Sequence, residues 1–126
     1  MSKPVDMAAL VERAEAKRLL WVPLEPGKRV QVRRPDVVEG ITLRAERGMK
    51  LHEAFAAKAV AWEGITERDL LVDEGSDAPL EFSPDAWRLL WGDRPNWLIA
   101  VAQAVKGALE QYEKQREAAA KNSKPS

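Results

Sequence analysis

Cysteine is missing from these 126 residues, which excludes disulfide scaffolds, thiol nucleophiles and Cys-ligated zinc. Histidine is almost missing too. His52 stands alone, so most metal-site and Ser-His arrangements lose a necessary member. An excess of either charge is also absent. Twenty basic and twenty acidic residues cancel to a formal charge of zero, whereas a chain that neutralises phosphates carries a basic surplus. No apolar run approaches the roughly 18 residues of a membrane span, and "MSKPVDMAAL" has no secretory apolar core, which sets the cytoplasm as the expected location. There is neither a G-x-G-x-x-G nor a P-loop.

What is present reads as one domain, since domains commonly run to about 100–150 residues. Hydrophobic residues make up 45% and charged residues 32%, the balance of a folded chain. The aromatic set is skewed, with five tryptophans against one tyrosine and two phenylalanines. Each indole N–H wants a partner even when its ring is buried. Most of the five are expected in the core, and one or two on a surface meant for another protein.

Residues 1–18 read as a short helical lead-in, with Asp6 as N-cap and Leu10, Val11 and Ala14 near helical spacing. The period then changes. In "RLLWVPLEPGKRVQVRRP", Leu20, Val22 and Leu24 alternate with Trp21 and Pro23, and Val30 and Val32 alternate with Arg29, Gln31 and Arg33. Period two on both sides of "EPGK" predicts a β-hairpin turning at Pro26-Gly27. Pro23 cannot donate to a ladder, so the first strand is expected at an edge. Asp36 and Glu39 have capping-box spacing, which would start a helix carrying Val37, Val38, Ile41 and Ala45. Gly40 and Gly48 weaken that helix by about 1 kcal/mol each, and "ITLRAER" reads equally as a third strand.

From Lys50, "KLHEAFAAKAVAW" sets Leu51, Ala54, Phe55, Lys58 and Ala59 at helical spacing. Its end, "AVAWEGI", reads as helix or as a short strand, stopped by Gly64. Residues 66–82 are polar and turn-rich around "DEGSDAP" and suggest a mobile loop. Ser83-Pro84 is a strong helix start, with serine as N-cap, proline at the first position and Asp85 against the dipole. That helix, "PDAWRLLWG", ends at Gly92. Asn96 is the expected cap of a long final helix with Trp97, Val101, Ala104, Val105, Ala108, Leu109 and Tyr112 on one face. The closing "AAAKNSKPS" should fray.

Catalytic chemistry finds little footing. His52-Glu53 is not H-E-x-x-H, because the second histidine does not exist. Asp73/Glu74 and Asp77/Glu81 sit in a polar stretch with no apolar wall to raise a pKa, and read as solvating charge. The run "KRVQVRRP" directs Lys28, Arg29 and Arg33 toward one side of a strand with no aromatic stacking residue beside it, a solvated face more than an RNA site. Trp87 and Trp91, four apart, share a helix face, and Trp97 follows past Pro95. Core packing is the simpler reading of this aromatic corner. The other makes it an interface anchor, with Trp87, Trp91, Trp97, Val101 and Val105 as candidate partner-binding residues. The last helix, running on into "EQYEKQREAAAK", is long for so small a domain, and such helices often pack against another chain.

At "AVAWEGI…APLEFSPDAWRLL" the chain resembles the tail assembly chaperones of long-tailed bacteriophages with non-contractile tails, or a prophage relative. The shared order is a hairpin strand "V-x-V-R-R-P", a helix into "W-E-G-I", a short acidic loop, "P-L-x-F-S-P-D" opening a helix, and a C-terminal helix. The likeness spans Trp21 to Tyr112. It rests on Trp62, Glu63, Gly64, Pro79, Phe82, Ser83 and Pro84, with Trp62, Gly64, Phe82, Ser83 and Pro84 read as fold determinants. It implies a protein without catalytic residues or cofactors. Such a protein binds the tape measure protein, a long helical aggregation-prone chain, keeps it soluble, helps tail tube subunits assemble, and leaves before the virion is complete. Apolar grooves and aromatic anchors under a neutral, charge-rich exterior suit that role. The family also makes a longer product by ribosomal frameshifting. Ala120-Lys121-Asn122 can be encoded by GCA AAA AAC, which contains the slippery heptamer A AAA AAC in frame.

The expected architecture is α+β and helix-dominated: a small N-terminal β-hairpin packed with three to four helices, the last one long. Residues 1–18 form the lead-in, 19–117 one folded domain and 118–126 a disordered tail. Expected partners are the tape measure protein, the tail tube protein and further copies of this chain, with no nucleic acid and no membrane. The site of action is the cytoplasm of the bacterial host. A head–tail joining or tail-completion protein that stays in the virion is the alternative, and a small enzyme using Glu63 or the acidic-loop carboxylates is the least favoured reading.

Overall fold

In the computed structural model, which describes residues 4–43 and 45–122, three antiparallel strands pair in the order β1-β2-β3: β1 (Leu19–Glu25), β2 (Lys28–Arg33) and β3 (Ala59–Glu63). The period-two pattern is visible in burial. Val22, Val30, Val32 and Trp62 point into the core, with Leu20 and Leu24 partly buried beside them. Trp21, Pro23, Arg29, Gln31 and Glu63 alternate onto the other face. Pro23 lies on edge strand β1 opposite Arg29, as its missing donor requires. The turn is Pro26-Gly27, with Gly27 at φ +82°, the backbone of the second central residue of a type II turn. Such turns splay a hairpin, and the register shift between Pro23 and Glu25 absorbs the mismatch.

Six helices complete the described chain: α1 (Met7–Ala16), α2 (Val37–Leu43), α3 (Met49–Ala56), α4 (Glu67–Leu71), α5 (Pro84–Asp93) and α6 (Pro95–Asn122). This is the helix-dominated α+β arrangement the sequence predicts, with a third strand added to the hairpin. α6 lies against α3, α5 and the first two strands, burying Trp97, Leu98, Val101, Ala102 and Val105. Asp6 caps α1 by accepting from the Ala9 N–H at 3.2 Å. Asp36 and Glu39 close a reciprocal capping box at 2.8 and 3.1 Å, so the segment after Pro35 is helix, ending at Leu43 and short of Ala45.

Several expectations are corrected. The pattern from Lys50 does not stay helical to Trp62: α3 stops at Ala56, and Lys58 and Ala59 leave it. The reason is tertiary. β2 needs a partner for its second edge, and "AVAWE" supplies one, with Val30 opposite Trp62 and Gln31 opposite Ala61. Residues 66–82 are not all loop. Thr66 and Asp69 form a capping box that starts α4, and the Leu80 N–H returns to the Ile65 carbonyl at 2.9 Å. α6 starts at Pro95 and not behind an Asn96 cap, since proline at the first helical position sacrifices no hydrogen bond. α6 also continues through 118–122, assigned above to the tail. Three alanines and a lysine, Ala118 to Lys121, favour helix there. Residues 123–126 lie outside the described residues.

Candidate functional site

The residues carrying the resemblance meet at one corner. β3 brings Trp62 into the core, where its ring meets Phe82 edge-on, with centroids 5.1 Å apart. Its indole N–H donates to the Leu80 carbonyl at 2.7 Å. Ser83 accepts from the Ala86 N–H at 3.2 Å and Pro84 opens α5. Gly64, at φ +81°, lets the chain turn away. A Cβ there would sit 1.9 Å from the Gly27 carbonyl oxygen. The two distant motifs are thus halves of one joint between sheet and α5.

Lys28 locks this joint, donating to the Gly64 carbonyl at 2.9 Å and to Asp69 at 2.7 Å. Asp69 also accepts from the Thr66 N–H and hydroxyl at 2.8 and 3.0 Å. Desolvation raises the Asp69 pKa, but hydrogen bonds from Lys28 and Thr66 outweigh it and hold the carboxyl below its ordinary value. Glu63 is held below its ordinary value chiefly by the hydrogen bond from Arg29, at 2.8 Å, and stands in solvent. Asp73, Glu74, Asp77 and Glu81 are exposed, Asp77 pairing with Arg68 at 3.5 Å. The half-buried His52 has no hydrogen bond at Nδ1, and no group of metal-ligating side chains exists among the described residues.

The basic strand is also not a free face. Lys28 turns to Asp69, Arg29 to Glu63, and Arg33 to Glu15 and Glu39. Contrary to the expectation of no aromatic beside it, the Arg29 guanidinium lies 4.0 Å above the Trp21 ring. Glu39 takes Arg33 on one oxygen and Lys58 on the other, tying the start of α2 to the sheet and to the α3–β3 junction. Its carboxyl is lowered to about 2, mainly by the Lys58 hydrogen bond and then by the Asp36 N–H.

The five candidate partner-binding residues lie in the core. Trp87, Trp91, Trp97, Val101 and Val105 are all buried. Trp87 and Trp97 pack near-parallel, centroids 6.4 Å apart. Their N–H groups go to the Ala56 carbonyl at 3.0 Å and to Glu25 at 3.2 Å, and Arg88 covers Trp91 at 4.1 Å. An indole buried and hydrogen-bonded inside its own chain has no face left for a partner. Trp21 is the one tryptophan outside the core.

The apolar surface left uncovered lies elsewhere. On α1, Met7, Leu10 and Val11 are 66%, 43% and 53% exposed, and no residue of that helix is buried. On α2, Val38 and Ile41 are 74% and 60% exposed. Spacing of i, i+3, i+4 on α1 and i, i+3 on α2 puts each set on one side of its helix. Leu10 and Val11, and Val38 and Ile41, already stand at helical spacing in the sequence, but spacing does not say what the shared face meets. An apolar pocket of about 160 Å³ between α2, α3 and α6 is below the roughly 300 Å³ of a small-molecule site. Among the described residues no helix is long and apolar enough to cross a membrane. The chain matches no protein-family model, no curated protein and no solved structure.

Proposed function

We propose that this chain is a bacteriophage tail assembly chaperone, a non-enzymatic protein that binds the tape measure protein in the host cytoplasm and keeps it soluble during tail assembly. The observation that carries the reading is the pair of exposed apolar stripes, Met7, Leu10 and Val11 on α1 and Val38 and Ile41 on α2. A helical client with one apolar face lies against such stripes by helix-in-groove recognition. The motif order from Trp62 to Pro84 supports the same family. Twenty charges of each sign keep a complex with an aggregation-prone client dispersed.

The test is co-expression with the protein encoded immediately downstream. Wild-type chain should keep that client in the soluble fraction and co-purify with it. Leu10→Glu/Val38→Glu should fold and fail to do so. A client equally soluble without this chain sinks the proposal. Mass spectrometry of purified virions separates the alternative: a chaperone is absent from them, and a head–tail joining or tail-completion protein is present. The frameshift proposal is tested at the DNA, where an AAG codon at Lys121 removes the heptamer.

A further inference from the structure

The cavity between α1, β1 and α6 contains a cation without a counter-charge. Arg34, just past the end of β2, continues the inward alternation of Val30 and Val32 and is 7% exposed. Its guanidinium lies 4.0 Å over the Tyr112 ring, and Nη1 donates to the Pro35 carbonyl at 2.9 Å. No carboxylate reaches it at ion-pair distance among the described residues. Arginine carries five N–H donors in a fork shaped for a carboxylate, and most of that fork is unused. Burial pushes the guanidinium below its ordinary value, with Arg18 and Arg33 adding to the effect and Tyr112 and Asp36 opposing it.

A buried unpaired charge is retained at a cost that stacking offsets only in part. The cavity around it measures about 450 Å³, and Lys17, Arg18, Gln111 and Gln115 share its wall with Arg34 and Tyr112, while no acidic residue does. Arg18 is engaged at its rim by Glu15 at 3.8 Å. The cavity adjoins the exposed stripe of α1. Ala14 of α1 lines the cavity, and Val11, Leu10 and Met7 continue the same stripe outward from it. We propose that the cavity receives an acidic side chain of a partner polypeptide whose apolar face lies along α1, its carboxylate bound by the Arg34 fork and steered by Lys17 and Arg18. The inference rests on the client-binding reading for the source of the carboxylate; the pocket itself is tested without a client.

The full chain is titrated with sodium succinate at constant ionic strength, following the Arg34 Nε–Hε NMR cross-peak and the melting temperature. The expected result is a saturable shift with a midpoint on the order of 10 mM, lost in Arg34→Met, whose own melting temperature is at or above wild type. A non-saturating response, a response unchanged in Arg34→Met, or saturation by inorganic phosphate at tenfold lower concentration overturns the proposal. Should Arg34→Met not fold, Arg18→Ala is read instead, with a midpoint raised about threefold expected and an unchanged midpoint overturning it. In the co-expression assay Arg34→Met should cut client capture about tenfold. Failure of wild type to capture any client sinks the chaperone reading alone, and the succinate result then judges the pocket.

Discussion

Replacing Gly64 with alanine should unlock the joint between hairpin, β3 and α5, and the size of the loss follows from the geometry. At φ +81° an alanine carries a left-handed penalty of about 1–2 kcal/mol. The new Cβ would also lie 1.9 Å from the Gly27 carbonyl oxygen and 3.0 Å from its carbon, and both are backbone atoms. No rotamer change relieves that contact. The Pro26-Gly27 turn must swing away, and Lys28, which bridges Gly64 and Asp69 at 2.9 and 2.7 Å, moves with it. Losing that half-buried bridge adds about 1–2 kcal/mol, for a total of about 3 kcal/mol out of the 5–15 typical of a domain. Gly27→Ala is the matched control. It has nearly the same φ, +82°, yet nothing lies within 4 Å of its added Cβ, so about 1 kcal/mol is expected. Urea unfolding followed by tryptophan fluorescence reads both. At a slope of about 1.5 kcal/mol/M the midpoints fall by about 2 M for Gly64→Ala and under about 1 M for Gly27→Ala. Equal shifts would refute the close-approach argument and leave φ alone as the cause.

Glu39 predicts an acid-side loss of stability. Its pKa falls from 4.5 to about 2 in the folded chain, so its contribution is complete above about 4.5 and is lost as pH drops through about 2. The difference is worth at most about 3 kcal/mol; with the Glu39 side chain 29% exposed, solvent screening brings the expected loss to about 1–2 kcal/mol. Glu39→Gln should flatten the wild-type pH dependence by that amount between pH 4.5 and 2, and parallel curves for the two proteins would remove Glu39 from the acid response. Val72 sits at φ +69°, ψ −65°, with the Asp73 N–H donating to the Leu71 carbonyl at 2.8 Å, a strained γ-turn on a β-branched residue that is 73% exposed. Val72→Gly should therefore stabilise by about 1 kcal/mol, read as a higher melting temperature; a lower one refutes the strain. Leu10→Glu/Val11→Glu on the exposed stripe should shift stability by under about 0.5 kcal/mol, whereas Trp97→Ala in the core should cost about 3–5 kcal/mol. Comparable losses in circular-dichroism melts would show that α1 is packed after all.

Local chemistry alone settled much of this fold. The Asp6 cap, the Asp36/Glu39 box, the Pro26-Gly27 turn and the Ser83-Pro84 start are short-range hydrogen-bonding patterns, and each formed where the residues dictated. The Thr66/Asp69 box was equally legible, but the surrounding polar residues obscured it. Other features had no local signature. "AVAWE" is strand because β2 has an edge to satisfy, and Gly64 is irreplaceable because a carbonyl 37 residues earlier in the chain comes to rest against it. Helical periodicity marked the stripes of Trp87/Trp91, Trp97/Val101 and Leu10/Val11 alike. The tertiary structure buried the first two and left the third open, because periodicity records which residues share a face and only packing determines what that face meets.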